Sequence, residues 1–405
     1  MKSIVVCMQC PSYDQPLVNA AVARGIQLLG GTDLFAKPNE TILLKPNVLN
    51  GLTAQNHIIT PTPVFRAVVA AFARSDAKLV YGDSTGFFSS EYHMKASGYA
   101  AVAAELAIPH ADFDHGRSVS HPSPLICPSL PLVNAALDAD GIISLPKLKT
   151  HGLVRYTGAI KNQFGCVLGA AKGRYHAIYP DVNDFAKMLV DISSYLKPRL
   201  YIMDGIVAME GPGPMGGDPR SLGVMLFSTD PVALDAVACK IIAMDPYFVP
   251  TAKAGEAGGL GTAKLEDITI LGDSVDEFIT PDFKIVRSYP PAYRPKKSRF
   301  QFLAQLVFAR PVIQEKKCTK CGRCVEVCPV APKAVDWRDG TKKLPPVYDY
   351  SRCIRCFCCH EFCAFKAIKT KTPIFGKLLT AFSSLLIVFG KKSQNSNPRD
   401  HGKKR

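Results

Sequence analysis

Short apolar runs of strand length recur through the first 272 residues, at 3–8, 41–47, 78–84, 140–147, 200–205, 223–228 and 267–272. Between several of them lie longer stretches with helical periodicity, at 16–29, 63–74, 91–107 and 231–244. Strand-length runs alternating with helices predict an α/β domain with a largely parallel sheet and helices on both faces.

The polar residues fall at particular places in this pattern. Lys45 and Asn47, Asp83 and Ser84, Lys147, Lys149 and His151, and Asp204 each follow directly after a predicted strand. In open α/β sheets, ligands bind in the crevice beyond the carboxyl ends of the strands, so four strand ends nominate one cleft. Turn capping accounts for an Asp or Asn after a strand, but less well for three lysines and a histidine.

Residues 145–165 are the densest stretch. Lys147 and Lys149 sit two apart and share a face in an extended segment, and Lys161 and Gly165 sit four apart and share a face on a helix. Lysines on an otherwise apolar stretch, with helix-start amides nearby, suit a small anionic substrate, carboxylate or phosphate. The expected catalytic groups are Lys149, His151, Lys161 and Asp204, with Lys45, Asn47, Asp83, Ser84, Lys147 and Asn162 in binding roles; the basic stretch continues to Lys172 and His176. Asp83, Asp204, Glu210, Asp218 and Asp235 are candidates for a divalent metal or an acid/base pair. The run 211–218 is too rich in glycine for a core element and reads as a mobile loop beside the cleft; it lacks the Gly-Lys-Ser/Thr ending of a phosphate-cradling loop. Cys7 and Cys10, in or just after the first strand, read as buried thiols.

Eight further cysteines carry the most specific signal. Cys318, Cys321, Cys324 and Cys328 form one run and Cys353, Cys356, Cys359 and Cys363 a second, each with C-x2-C-x2-C-x3-C spacing. This is the spacing of bacterial two-cluster ferredoxins, in which the fourth cysteine of each run ligates the other run's cluster. It predicts two [4Fe-4S] clusters, one on Cys318, Cys321, Cys324 and Cys363, the other on Cys353, Cys356, Cys359 and Cys328. Zinc, which takes two C-x2-C pairs across a long loop, fits the two runs of four poorly. The resemblance covers about residues 310–372, a small α+β two-cluster ferredoxin domain. It departs at Ala364, where that family usually has proline, and at Cys358, an extra thiol between two proposed ligands.

A hydrophobic content of 47% fits a globular chain rather than a disordered one. Fourteen cysteines and an opening that reads as a strand rather than a secretory leader lead to the expectation of a reducing, cytoplasmic setting. Charge is uneven. Residues 1–290 hold 24 Lys and Arg against 27 Asp and Glu, whereas residues 291–405 hold 25 against 7. A basic C-terminal third suits an acidic redox partner protein or anionic lipid, or it offsets the charge of the clusters themselves. No motif points to nucleic acid.

The series Leu44-Lys-Pro-Asn47, Gly82-Asp-Ser84, Pro146-Lys-Leu-Lys-Thr-His151, Gly158-Ala-Ile-Lys-Asn-Gln-Phe-Gly165, the run 203–214 and Ser228-Thr-Asp-Pro-Val-Ala-Leu-Asp235 resembles the iron–sulfur centre proteins carrying the domain of unknown function numbered 362. The resemblance spans about residues 1–285. It implies an anaerobic-type redox context and supplies no settled reaction.

The expected organisation is an α/β domain over 1–285, a linker over 286–310, the two-cluster domain over 311–372, and an apolar helix with a basic tail over 373–405. The linker ends in a short amphipathic stretch, 300–308. The apolar run 374–390 contains Lys377 and falls short of the ~20 residues that span a bilayer. It suits a peripheral membrane interface, a partner, or this protein's own sheet. The expected function is an iron–sulfur oxidoreductase passing single electrons to or from something bound in the cleft. Its rivals are a non-catalytic carrier docking a larger redox enzyme and a cluster or metal delivery protein.

Overall fold

The computed structural model describes residues 2–49, 57–84, 89–285, 308–338, 340–363 and 365–375. The chain begins β1 (Ser3–Gln9), α1 (Gln15–Leu28), β2 (Thr41–Pro46), α2 (Thr62–Phe72), β3 (Lys78–Tyr81), α3 (Ser90–Ala96) and α4 (Tyr99–Glu105). A separate ribbon of β4 (Gly116–Ser120) and β5 (Ser129–Val133) precedes α5 (Asn134–Leu137), β6 (Gly141–Leu145), β7 (Lys147–His151) and β8 (Arg155–Thr157). Then come α6 (Ala159–Asn162), α7 (Gly169–Ile178), α8 (Val182–Leu196), β9 (Leu200–Glu210), β10 (Asp218–Ser228), α9 (Pro231–Ile241), α10 (Pro250–Ala257) and β11 (Ile268–Gly272).

The main sheet has the order β11-β1-β10-β9-β6-β2-β3, with β7 also on β9 and β8 on β7. It is mostly parallel. β2 pairs in parallel with β3 and β6, β9 with β6 and β7, and β1 with β11; β10 runs against β1 and β9, and β8 against β7. Successive residues of each strand feed opposite faces. Val5 and Cys7 join a core with Phe185, Leu189 and Val237 of α8 and α9, whereas Val6 and Met8 join another with Val22 of α1 and Phe65 of α2. Burial on both faces is why the strands read as unbroken apolar runs.

The structure differs from the expectation at several points: Lys147, Lys149 and His151 lie within strand β7 rather than in a turn after β6, and α8 and the β4–β5 ribbon add to the expected elements. The stretch 91–107 is two helices because Gly98, at φ 84°, breaks the spiral in a left-handed conformation that costs glycine little. β9 and β10 form a hairpin longer than their apolar runs; the outer part of β10 is part-exposed and polar, so only its inner half carries a hydrophobic signal. The glycine-rich turn between them is packed rather than loose. Gly213 lies against the Thr150 carbonyl where no Cβ would fit, and Met215 is buried.

The C-terminal module is small and ferredoxin-like. β12 (Arg310–Ile313) pairs antiparallel with β15 (Ile368–Lys371), and β13 (Val335–Asp336) with β14 (Val347–Tyr348). Two short helices, Arg323–Glu326 and Cys358–Glu361, each lie within a cysteine run, carry its third cysteine and end before its fourth. The runs repeat their backbone as well as their spacing: Lys320 and Arg355, then Gly322 and Phe357, all have φ between 58° and 77°. Most of the predicted linker 286–310, including 300–307, lies outside the described residues, as does the apolar run beyond 375 and the tail 391–405. Among the described residues, no helix is long and apolar enough to cross a membrane.

Candidate functional site

The carboxyl ends of β2, β3 and β6 and the whole of β7 open onto two joined chambers. The sheet places them there because Pro146, which has no N–H to give, separates β6 from β7 while both run alongside β9. The smaller chamber, about 280 Å³, is lined by Lys147, Lys149 and His151, alternate residues of β7, together with Thr157, Lys161 and Pro214. The larger, about 650 Å³ and open to solvent, is lined by Asp83, Ser84, Phe164, Gly165, Lys172 and His176 on the α/β side. Asn47, Leu49, Lys161 and Asn162 line both. On the opposite side the larger chamber is walled by Val327, Cys358 and Phe362 of the C-terminal module.

Buried ion pairs hold this cleft in shape. Lys45, fully buried, pairs with Asp83 at 2.9 Å and donates to Asn162 Oδ1 at 3.3 Å. Asn162 in turn bonds Ser144 Oγ at 2.9 Å, and Asp83 Oδ2 accepts from the Val48 amide at 2.9 Å. Gly165 makes room for the pair, since a Cβ there would stand 2.0 Å from Asp83 Oδ1 and 2.6 Å from Lys45 Nζ. Lys147 pairs with Asp204, and the Tyr13 hydroxyl bridges the two, at 3.0 Å from Lys147 Nζ and 3.0 Å from Asp204 Oδ2. Burial pulls the Lys147 ammonium below its ordinary range while Asp204 opposes the shift. Lys149 donates to Asn47 Oδ1 at 2.7 Å and to the Ile58 carbonyl at 2.9 Å.

Lys172 is different. Its ammonium bonds the Ser84 carbonyl and hydroxyl, both at 2.7 Å, and burial brings its pKa down from 10.5 to about 7 despite Asp83 nearby. His176 stacks on Phe185 at 4.4 Å and meets Phe164 edge-on. Lys161 lies over the Phe164 ring at 5.4 Å.

The carboxylates do not converge. Asp83 and Asp204 hold lysines, Glu210 takes Lys284, Asp218 is exposed, and Asp235 accepts the Ala159 and Ile160 amides. Burial pushes Asp235 up to about 7. Among the described residues, no three His, Cys, Asp or Glu side chains converge on the point that a single metal ion would occupy, and these carboxylates form no such group. Cys7 and Cys10 are buried, and burial raises them to about 12 and about 11.

In the module, two further cavities each gather four cysteines from both runs. One of about 350 Å³ is lined by Cys318, Cys321, Cys324 and Cys363; the other, about 300 Å³, by Cys328, Cys353, Cys356 and Cys359. These are the crossed sets that the spacing predicts. Donors already point at sulfur: the Ala334 amide at Cys328 and the Ala367 amide at Cys363, both 3.3 Å, and the Tyr348 hydroxyl at Cys359, 3.1 Å. Thiolates of a cubane accept hydrogen bonds of this kind, so the residues present fit two [4Fe-4S] groups. Cys358 lines neither cavity and faces the large chamber.

Of the site residues predicted from sequence, Asn47, Asp83, Ser84, Lys147, Lys149, His151, Lys161 and Asn162 line the chambers, whereas Lys45 and Asp204 stand behind them as buried partners. Tyr13, Val327 and Phe362 carried no chemical signal in the sequence. Lys172 and His176 were visible only as the end of a basic stretch.

The family described as Domain of unknown function (DUF362) matches residues 42–240, and the 4Fe-4S dicluster domain matches 310–364. A thylakoid-associated protein of Synechocystis is 37% identical over 267 residues, 66% of this chain and 83% of that protein. Among solved structures, the lactate racemase apoprotein from Thermoanaerobacterium thermosaccharolyticum aligns with 57% of this chain and 55% of its own, at 11% identity and a TM-score of 0.38. A homologue of this identity and coverage, with the DUF362 match over the cleft and a 4Fe-4S dicluster match over both cysteine runs, places the chain in the DUF362 family with a 4Fe-4S dicluster domain attached.

Proposed function

We propose that the protein is an iron–sulfur oxidoreductase that exchanges single electrons with a small anion held in the cleft. The observation that carries this reading is the large chamber, with Lys161, Lys172 and His176 on one wall and Val327, Cys358 and Phe362 on the other. Each of those three module residues adjoins a proposed ligand in sequence: Cys328, Cys359 and Cys363. A bound molecule would lie one residue's thickness from the cysteines.

Two clusters, on Cys318/Cys321/Cys324/Cys363 and Cys328/Cys353/Cys356/Cys359, would supply single electrons when bound. The chain's own residues supply the rest. Lys147, Lys149 and Lys161 gather positive charge in the small chamber and fix an anionic head group there. Phe164, Phe362 and Val327 offer apolar contact to its body in the large chamber. Lys172, ionising near neutrality, holds a proton within that chamber and can release it as charge builds on the substrate.

The test uses photoreduced, cluster-loaded full-length protein, with iron and sulfide quantified first. Reoxidation by 4-nitrobenzoate is followed against reoxidation by the neutral 4-nitrobenzyl alcohol. The expected result is a saturating, faster reaction with the carboxylate, which Lys149→Gln slows by about tenfold at unchanged iron content, the loss of one charge-assisted contact. Equal, unsaturable rates for both probes, unaffected by Lys149→Gln, would leave the cleft without a redox role.

A further inference from the structure

Seven of the eight proposed cluster cysteines are buried or half-buried, and Cys321 alone among them is exposed. Lys316, Lys317 and Lys320 flank it in sequence, and Lys342 and Lys343 lie on the loop that the Lys320 side chain reaches, all exposed. The Lys320 ammonium donates to the Lys343 carbonyl at 2.8 Å and ties the two segments into one surface. Glu315 and Asp336 are exposed acidic residues near it in sequence, and Leu344, 46% exposed, offers an apolar spot. The module residues that face the cleft, Val327, Cys358 and Phe362, are not part of this rim.

We infer that the Cys321 rim is the docking surface for an acidic one-electron carrier protein, so that electrons enter at the Cys318/Cys321/Cys324/Cys363 set. A second protein brings its redox centre closest where a ligand is most accessible, and of the eight cysteines that is Cys321. Five lysines on these two segments raise the encounter rate of an acidic partner and orient it. An anionic membrane would also be drawn to the lysines, but it would gain nothing from their flanking a ligand. In the transfer one electron leaves the carrier and enters the cubane held by the first set; no bond forms and no proton moves. The inference is independent of what binds in the cleft, because its readouts are docking and cluster reduction without any substrate.

The experiment measures binding of an acidic flavodoxin to anaerobic, cluster-loaded full-length protein by calorimetry, and the rate of cluster reduction by its reduced form in stopped flow. The triple variant Lys316→Gln, Lys317→Gln, Lys342→Gln should lose about tenfold in both affinity and rate, with iron content and reduction by dithionite unchanged. Raising salt from about 20 mM to about 300 mM should weaken the wild type similarly, as screening shortens the reach of surface charge. The control variant Lys253→Gln, Lys264→Gln, on the exposed α/β surface, should behave as wild type. Flavodoxin binding that is absent, or equal in the triple variant and wild type, overturns the inference. So does loss in the triple variant of binding to phosphatidylglycerol vesicles alone, which would assign the rim to a lipid surface.

Discussion

In the α/β domain, Lys45, Lys147 and Lys149 are each at most 1% exposed, and each is held by partners the polypeptide itself provides: Asp83, Asp204 with Tyr13, and Asn47. In the C-terminal module the reactive groups are eight cysteines around two cavities, and among the described residues its buried apolar side chains are Val327, Ala334, Val335, Cys353, Cys358, Cys359, Ala367 and Ile368, half of them Ala or Val and three of them cysteines. The first region is built before any ligand arrives. The second has too little apolar surface to hold two cysteine-lined cavities open by packing, and its strands are two to four residues long. The contrast is between internal ion pairs backed by a large core and cysteine-lined cavities whose shape a bound iron–sulfur group would complete.

The largest effect should come from withholding the clusters. Protein prepared without iron should be cut by a low dose of protease within residues 310–371, while 2–285 stays protected, because binding energy at such a site is folding energy. Equal protection of both regions would show that the module packs unaided. Next in size is the loss of one buried partner. Lys45→Met keeps the volume but leaves Asp83 buried without its ammonium, and should cost about 3–5 kcal/mol in urea denaturation. The exposed pair Arg66–Glu105, 2.6 Å apart, should cost under about 1 kcal/mol when Arg66→Ala removes it. A Lys45→Met cost as small as that of Arg66→Ala would mean that the cleft's pairs are not what shapes it.

A further effect is one of pH. Lys172 ionises near 7 in the native chain and at its ordinary 10.5 when unfolded. Between those values the unfolded chain binds the extra proton, so this residue makes stability rise with pH across that window. The cost of its buried charge is fully present below about 7. Lys172→Met should therefore stabilise the domain most at pH 6 and progressively less toward pH 10; a wild-type to variant difference that does not change with pH would place the ammonium in contact with water.

The two regions were also unequally legible. The cysteine spacing, read through its resemblance to two-cluster ferredoxins, anticipated which four cysteines line each cavity. The apolar runs stated the layered sheet, because strands buried on both faces must be continuously hydrophobic. The strand-end rule then brought Lys147, Lys149, His151, Asn47 and Asp83 to one cleft without knowledge of strand order.

What the sequence left open were contacts between elements far apart in the chain. Tyr13 reaches Asp204 across 191 positions, and nothing local in residues 10–16 marks it. That Lys45 and Asp204 serve as buried partners while Lys149 and Lys161 line the chambers follows from the depth of each side chain, which depends on what packs over it. The placing of Cys358, Val327 and Phe362 opposite Lys172 is a matter of how the module sits on the sheet, for which the chain carries no periodic signal. Motif spacing and hydrophobic period are local and can be read along the chain; the wall that the module contributes to the cleft exists only once the two regions are packed together.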